Sequence, residues 1–301
     1  MLPSTQPSHL YRGRFAPSPT GPLHAGSILA ALASYLDAKA NQGLWFVRME
    51  DLDPPRESRA AAASILHTLE ALGFYWDDTV VYQSQRQDAY REALAELEDR
   101  QMIYSCQCSR KTLTDYGSVY TGTCRSLNVA TQVSVALRCR ISPRTITFTD
   151  RVQGNFFQHL EQDAGDFIVR RKEGLFAYQL AVVVDDAWQG ITQIVRGIDL
   201  LDSTPRQIYL QELLGFVTPG YAHIPVLINA LGQKLGKQQY AQAVDTMRPG
   251  QVLFNALQRL QQQPEPALEE LAPEEILAWG ISHWDIEKIS GIKQIPEIEE
   301  F

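Results

Sequence analysis

Two short segments of this chain carry the side-chain types that phosphate chemistry requires. The first, Arg14-Phe15-Ala16-Pro17-Ser18-Pro19-Thr20-Gly21-Pro22-Leu23-His24-Ala25-Gly26-Ser27, runs from the end of a strand candidate into the start of a helix candidate. Free backbone N–H groups and the helix dipole favour phosphate at such a junction. His24 stands where an imidazole can donate a hydrogen bond to a phosphoryl group as charge builds, and Gly26 lets the backbone approach a nucleotide. The second segment, Lys234-Leu235-Gly236-Lys237-Gln238, follows the last strand candidate. Lys234 and Lys237, on either side of a glycine, would track the phosphates of ATP and neutralise charge developing on pyrophosphate. The chain has neither a GxGxxG nor a Walker A sequence, so a dinucleotide fingerprint and a P-loop are excluded.

A third constellation is Cys106-x-Cys108-x11-Tyr120-x3-Cys124. Three thiolates and one further donor would close a tetrahedral zinc site. On composition alone Cys139 is the natural fourth ligand, although its place in the alternating run Ala136–Ile141 suits a sheet or core cysteine equally. Four cysteines, three of them crowded together, read as metal ligands or free thiols, not as a secreted disulfide framework. The polar stretch Met1–His9 lacks an apolar signal core, and the apolar stretch Ile28–Leu36 is too short to span a bilayer. The expectation is therefore a cytoplasmic protein with no membrane association.

These residues have to be held by regular elements. Arg12–Ala16 reads as a strand and Pro17–Pro22 as a turn; Ile28, Leu32, Tyr35 and Leu36 then share one helical face. Leu44–Met49 reads as a buried strand, Ala60–Leu72 as a helix closed by Gly73, and Ser84 with Gln87 as a capping box opening a helix to about Gln101. Strand, helix, strand, helix is the beginning of a nucleotide-binding α/β sheet. The pattern breaks at Ser105, where the cysteines and the β-like runs Val133–Ile141 and Thr145–Thr149 indicate an insertion. It resumes with the apolar runs Leu180–Val184 and Ile191–Val195, a helix from Thr204 and Pro205 to Leu214 ended by Gly215, and a strand over His223–Asn229. Helices are expected over Gly250–Gln262 and Pro273–Trp279. The implied organisation is a Rossmann-type domain in two parts (11–104 and 178–238), an insertion with the zinc site (105–177), and a small helical C-terminal region (239–301).

The formal net charge of −8, from 27 basic and 35 acidic residues, argues against a general nucleic-acid binder. Any RNA contact must use a local basic surface. Arg138, Arg140 and Arg144 form one candidate, and Arg170, Arg171 and Lys172 another.

Four ordered segments resemble one family. Arg14–Ser27 is similar to the "HIGH" region of glutamyl- and glutaminyl-tRNA synthetases, and Lys234–Gln238 to their "KMSKS" loop. Arg48-Met49-Glu50-Asp51-Leu52-Asp53 resembles their R-[IF]-E-D-T-D segment. Val195-Arg196-Gly197-Ile198-Asp199 with Ser203-Thr204-Pro205-Arg206-Gln207 resembles V-R-G-x-D…T-P-R-Q. Two departures stand out: Ser27 occupies the place of the second histidine, and Gly236 that of the loop serine.

The resemblance implies activation of glutamate by Mg-ATP, with His24 and Lys237 acting on phosphates and His24, Gly26, Lys234 and Lys237 holding ATP. It also implies a glutamate pocket of Arg14, Phe15, Ala16, Pro17, Ser18, Glu50, Tyr178 and Arg196. The chemistry agrees, because glutamate has two carboxylates and one ammonium and so needs two cationic partners and one anionic one. Arg14 is assigned to the side-chain carboxylate, Glu50 to the ammonium and Arg196 to the α-carboxylate. One branch of the family transfers glutamate to the queuosine base at the wobble position of tRNA(Asp). Resemblance to that branch implies Cys106, Cys108, Tyr120 and Cys124 as structural zinc ligands. It also explains the short stretch 239–301 after the lysine loop, where other members continue into an anticodon-binding region. A globule of this length has a radius of gyration of roughly 19 Å, too small to reach both ends of a tRNA. The expected partner is queuosine-bearing tRNA(Asp), and the expected state a monomer. The rival readings are a truncated glutamyl-tRNA synthetase charging a 3′ end, a small HxGH-type adenylyltransferase using another acid, and a non-catalytic tRNA-binding paralogue.

Overall fold

Along the strand Leu44–Met49, Trp45, Val47 and Met49 enter one hydrophobic core and Phe46 enters another. Ile194 and Val195 divide in the same way, as do Tyr221 and Ala222. This period of two, with both faces apolar, is the mark of a parallel sheet covered by helices on each side. The structure is a computed structural model that describes residues 10–109, 119–127, 134–235 and 243–297.

Strands β1 (Arg12–Phe15), β2 (Leu44–Met49) and β3 (Val81–Tyr82) pair in parallel. Their connections are helices α1 (Ala25–Ala40) and α2 (Arg59–Ala71), the latter capped by the Ser58 side chain, which accepts the Ala61 N–H. Helix α3 (Gln87–Asp99) follows. It begins two residues later than the capping box predicts, because Ser84 Oγ instead donates to Asp51 Oδ2 (2.6 Å).

Strands β4 (Ile103–Cys106), β5 (Ala136–Cys139) and β8 (Phe167–Arg170) form a separate antiparallel sheet. The hairpin β6 (Thr145–Asp150) and β7 (Gly154–His159) falls within the stretch read as an insertion, yet β6 pairs with the main sheet: Asp150 lies beside Tyr221 of β10.

The apolar run Leu180–Val184 lies inside helix α4 (Tyr178–Trp188), and Ile191–Val195 leads into β9 (Gln193–Gly197). Helix α5 (Thr204–Leu214), with Pro205 in its first turn, ends at Gly215, whose φ of 67° is the left-handed conformation that glycine adopts without strain. Strand β10 (Gly220–Ile224) pairs in parallel with β9. Pro225, which has no N–H to give a ladder, divides the expected His223–Asn229 strand into β10 and β11 (Val226–Ile228). Helices α6 (Pro249–Arg259) and α7 (Pro273–His283) follow, and β12 (Gln294–Pro296), not expected from the sequence, pairs with β11.

The two parallel groups meet where Thr192 N–H donates to Arg12 O (3.0 Å) and Arg12 N–H donates to Thr192 Oγ1 (2.9 Å). The resulting layer runs β3-β2-β1-β9-β10-β6-β7, and its order reverses between β1 and β9. Open α/β sheets bind ligands outside the strand ends at such a switch point. Helices α1, α2, α6 and α7 cover one face and α3, α4 and α5 the other. The C-terminal segment is pinned by Asp37 of α1, which accepts from Trp284 Nε1 (3.0 Å), from both Arg151 Nη groups (2.6 and 2.9 Å) and from the Tyr11 hydroxyl. No helix among the described residues is long and apolar enough to cross a membrane.

Candidate functional site

At the switch point the strand ends open onto a cavity of about 540 Å³. Arg14, Phe15 and Ala16 enter it from the end of β1, Ser18 from the turn that follows, and Glu50 from the end of β2. Arg196 enters from β9 and Tyr178 from the first residue of α4. Every glutamate-pocket residue expected from the sequence lines this cavity except Pro17, whose carbonyl instead accepts the Glu50 N–H (3.0 Å) and ties the turn to the β2 end.

The charges in the cavity are held by groups behind it. Arg14 is buried, and its Nε–H donates to Asp186 Oδ1 (3.1 Å). The same oxygen meets Nη1 of fully buried Arg48 at 2.8 Å, and Arg48 Nη1 also donates to Gln189 Oε1 (2.6 Å). Burial would push the Asp186 carboxyl up, but Arg14 and Arg48 outweigh it and hold it below the usual carboxylate range. Glu50 is placed differently. Its carboxylate is 3.7 Å from Arg48 Nη2, and burial dominates over the attraction of Arg48 and Arg14, so that its pKa is raised to about 7. Tyr178, also pushed up by burial, accepts from Arg196 Nη1 (3.4 Å).

Arg196 is gripped from behind at two points. Its Nε–H donates to His223 Nε2 (3.0 Å) and its Nη2 to Thr204 Oγ1 (2.8 Å), all three residues being buried. The Arg196 guanidinium also lies over the Tyr221 ring, 5.4 Å from its centroid.

Of the residues expected to act on phosphates, His24, Gly26 and Lys234 are not among those lining the cavity. His24 is the residue preceding α1, and its carbonyl accepts the Ser27 and Ile28 N–H groups. Gly26 does not approach open space: a Cβ there would lie 3.2 Å from His24 Cε1, so the glycine makes room for the imidazole. Lys234 Nζ pairs with Asp199 Oδ2 (2.5 Å), which joins the lysine segment to the Val195–Asp199 segment. Leu235 anchors the start of the loop in the core. Gly236, Lys237 and Gln238 lie outside the described residues.

The sequence alone assigns no role to Arg48, Asp150, Asp186 or His223. A signal for Asp186 was available, since Asp185 and Asp186 are adjacent carboxylates closing an otherwise apolar run. Of the two basic candidates, Arg138 is buried, its Nη1 donating to the Asp166 carbonyl (2.5 Å), and Arg144 is paired with Glu212 (2.7 Å). That run is therefore not a free basic surface. Arg171 does line the cavity mouth, with Arg56 and Asp53, and lies 3.4 Å from Asp53.

In the β4-β5-β8 subdomain, the Sγ atoms of Cys106, Cys108 and Cys124 lie within 4.8 Å of one another, a group that could hold a metal ion. The Tyr120 hydroxyl is 3.5 Å from both Cys106 Sγ and Cys108 Sγ. Tyr120 is seated by Gly165, where φ is 63° and a Cβ would lie 2.5 Å from the Tyr120 carbonyl. The Arg138 guanidinium is 4.0 Å from the Tyr120 ring centroid. Burial raises the Cys106 thiol, but hydrogen bonding with Tyr120 and Arg138 prevails and brings its pKa down to about 7. Cys139 is not in this group. It is fully buried among the residues packed on α3 and α4, and burial pushes its thiol up.

Comparison with known proteins bears on all of this. The family model for the catalytic domain of class I tRNA synthetases (E and Q) matches residues 11–279. Glutamyl-Q tRNA(Asp) synthetase of Pseudomonas fluorescens is 50% identical over 299 residues, covering 99% of both chains. The protein of that name from Pseudomonas putida is 49% identical, again over 99% of each. Among solved structures, a glutamate tRNA ligase from Elizabethkingia meningosepticum superposes with a TM-score of 0.79 at 22% identity. The match covers 94% of this chain and 66% of that one. The glutamate-tRNA synthetase of Elizabethkingia anophelis gives 0.78 at 22% identity, covering 95% and 68%. These structures share the fold, and this chain spans about two thirds of their length.

Proposed function

The chain belongs to the class I tRNA synthetases of the glutamate and glutamine type, and within them to the glutamyl-Q tRNA(Asp) synthetase family, and on that premise we propose how its residues carry the reaction. It activates glutamate with ATP, without tRNA, and transfers it to queuosine at the wobble position of tRNA(Asp). One observation carries the substrate assignment. A single cavity sets two buried arginines, Arg14 and Arg196, around one carboxylate, Glu50. That is the charge complement of an amino acid with two carboxylates and one ammonium.

In this reading Arg14 takes the side-chain carboxylate, Glu50 the ammonium and Arg196 with Tyr178 the α-carboxylate. Phe15, Ala16 and Ser18 complete the wall. An α-carboxylate oxygen attacks the α-phosphorus of ATP, the bond to the bridging oxygen breaks, and pyrophosphate leaves. His24, Lys234 and Lys237 would bind the phosphates, with Gly26 making room for the His24 imidazole, and magnesium entering with ATP screens their charge. A hydroxyl of the queuosine cyclopentenediol then attacks the activated carbonyl, an ester forms, AMP leaves and the hydroxyl proton is lost. Most of the rate comes from positioning and charge stabilisation.

The thiol group in the β4-β5-β8 subdomain is assigned to structural zinc. A tetrahedral site with Zn–S near 2.3 Å sets its ligand atoms about 3.8 Å apart, and the Cys108–Cys124 and Cys108–Tyr120 separations are both 3.5 Å. Cys106, Cys108, Cys124 and Tyr120 would hold the ion, which supplies a cross-link and no chemistry at the cavity. Purified protein should contain about one zinc per chain by elemental analysis. Cys108→Ser should lose the metal, whereas Cys139→Ser should keep it. Retention in the first, or loss in the second, would overturn this ligand set.

The charge of Glu50 sets a pH dependence. Its carboxyl is raised to about 7, so it is ionised above that pH and neutral below it. A neutral Glu50 cannot pair with the substrate ammonium. The KM for glutamate in ATP–pyrophosphate exchange should therefore rise as pH falls through 7, by about tenfold per unit. The KM for ATP should stay level, and Glu50→Gln should remove the slope.

The acceptor is tested with labelled glutamate and two forms of tRNA(Asp), full length and lacking the 3′-terminal adenosine. Both should be labelled, and nuclease mapping should put the label on the anticodon fragment. Label on the 3′ adenosine, or equal transfer to tRNA without queuosine, would restore the reading of a truncated synthetase charging a 3′ end.

A further inference from the structure

His223 takes no part in the scheme above, yet it is a fully buried imidazole with both ring nitrogens engaged. Nδ1 lies 2.6 Å from Asp150 Oδ2, and Nε2 faces Arg196 Nε at 3.0 Å. An arginine N–H has no lone pair and can only donate. Nε2 must therefore be the acceptor, and the ring proton must sit on Nδ1, where the Asp150 carboxylate receives it. Burial, the largest influence, lowers the His223 pKa and Arg196 adds to this, against the pull of Asp150. A neutral ring is what the contact with Arg196 requires.

Asp150 is itself held in one rotamer. Its Oδ1 accepts the backbone N–H groups of Val152 (3.0 Å), Gln153 (2.9 Å) and His223 (3.0 Å), leaving Oδ2 for the imidazole. These contacts also close the hairpin of β6 onto β10, so the chain from fold to guanidinium is short: hairpin turn, Asp150, His223, Arg196.

We infer that Asp150 and His223 are positioning residues for Arg196, with Asp150 selecting the imidazole tautomer whose Nε2 lone pair orients the guanidinium toward the substrate α-carboxylate. The inference rests on the proposed role of Arg196 in holding glutamate. It also explains why a hairpin otherwise remote from the cavity is paired to the main sheet: it delivers the carboxylate that sets the tautomer.

Asp150→Asn tests this with little change in shape. The amide oxygen of the variant still accepts the three backbone N–H groups, so its NH₂ faces His223 Nδ1. That turns Nδ1 into the acceptor and moves the proton to Nε2, against the Arg196 N–H. Nitrogen-15 NMR of the imidazole in the ligand-free protein should show Nδ1–H in the wild type and Nε2–H in the variant. In ATP–pyrophosphate exchange the KM for glutamate should rise about tenfold to a hundredfold, with the KM for ATP unchanged. His223→Gln, which returns a carbonyl oxygen near the Nε2 position, should keep the glutamate KM close to wild type. In that background Asp150→Asn should have little further effect, since no tautomer remains to be inverted.

A glutamate KM unmoved by Asp150→Asn would overturn the inference. So would parallel losses for glutamate and ATP with a lowered melting temperature, the signature of a merely structural pair. A wild type that shows Nε2–H would overturn it independently of any activity. A wild type showing Nδ1–H but no glutamate-dependent exchange would instead remove the glutamate reading, and with it the role proposed for Arg196.

Discussion

The requirement that shapes this protein is the burial of three arginines, Arg14, Arg48 and Arg196, at the ends of adjacent parallel strands. A guanidinium cannot shed its proton to escape a dry environment, so each needs an acceptor from the protein. Leaving one unpaired costs about 3–5 kcal/mol, a large share of the stability of a single domain. Asp186 answers for Arg14 and Arg48 together, and Asp150 answers for Arg196 through His223. Glu50 is the exception among the carboxylates. It lies near cations without a close ion pair, and its raised pKa reports that incomplete satisfaction. A substrate ammonium would complete it.

The same constraint explains where the elements go. Asp186 comes from the last turn of α4, so that end of the helix must reach Arg14 of β1 and Arg48 of β2, while its first residue, Tyr178, lines the cavity. Asp150 ends β6, so the hairpin must dock beside β10. The lysine segment is tied in by Asp199, which follows Arg196 by three residues, so the cavity wall and the lysine segment are linked through one short loop. Pre-organisation of this kind places the charges before the substrate arrives.

Much of this was legible in the sequence, for physical reasons. The strand–turn–helix unit at Arg12–Ala40 declares itself through its Pro and Gly spacing and its helical face, and the ordered motifs fix which strand ends meet. What was hidden were pairings between distant positions. Asp150, His223 and Asp186 are ordinary residues until the sheet order brings them to Arg196 and Arg14. Leu180–Val184 has no clear period because α4 is buried over most of its circumference. Ser84 had the pattern of a helix cap, but Asp51, close only in three dimensions, took its hydroxyl. Tyr120 and Cys139 could not be separated by spacing. The fold separates them, with the tyrosine hydroxyl among the three thiols and the cysteine in the α3–α4 core.

The central claim is that a pre-formed set of two arginines and one glutamate selects glutamate for activation within this chain alone. ATP–pyrophosphate exchange with glutamate, glutamine and aspartate supplied singly, in the absence of any tRNA, measures it directly. Exchange with glutamate alone is the predicted result. Exchange with glutamine at a comparable rate, or exchange with glutamate that begins only when a tRNA is added, would contradict it.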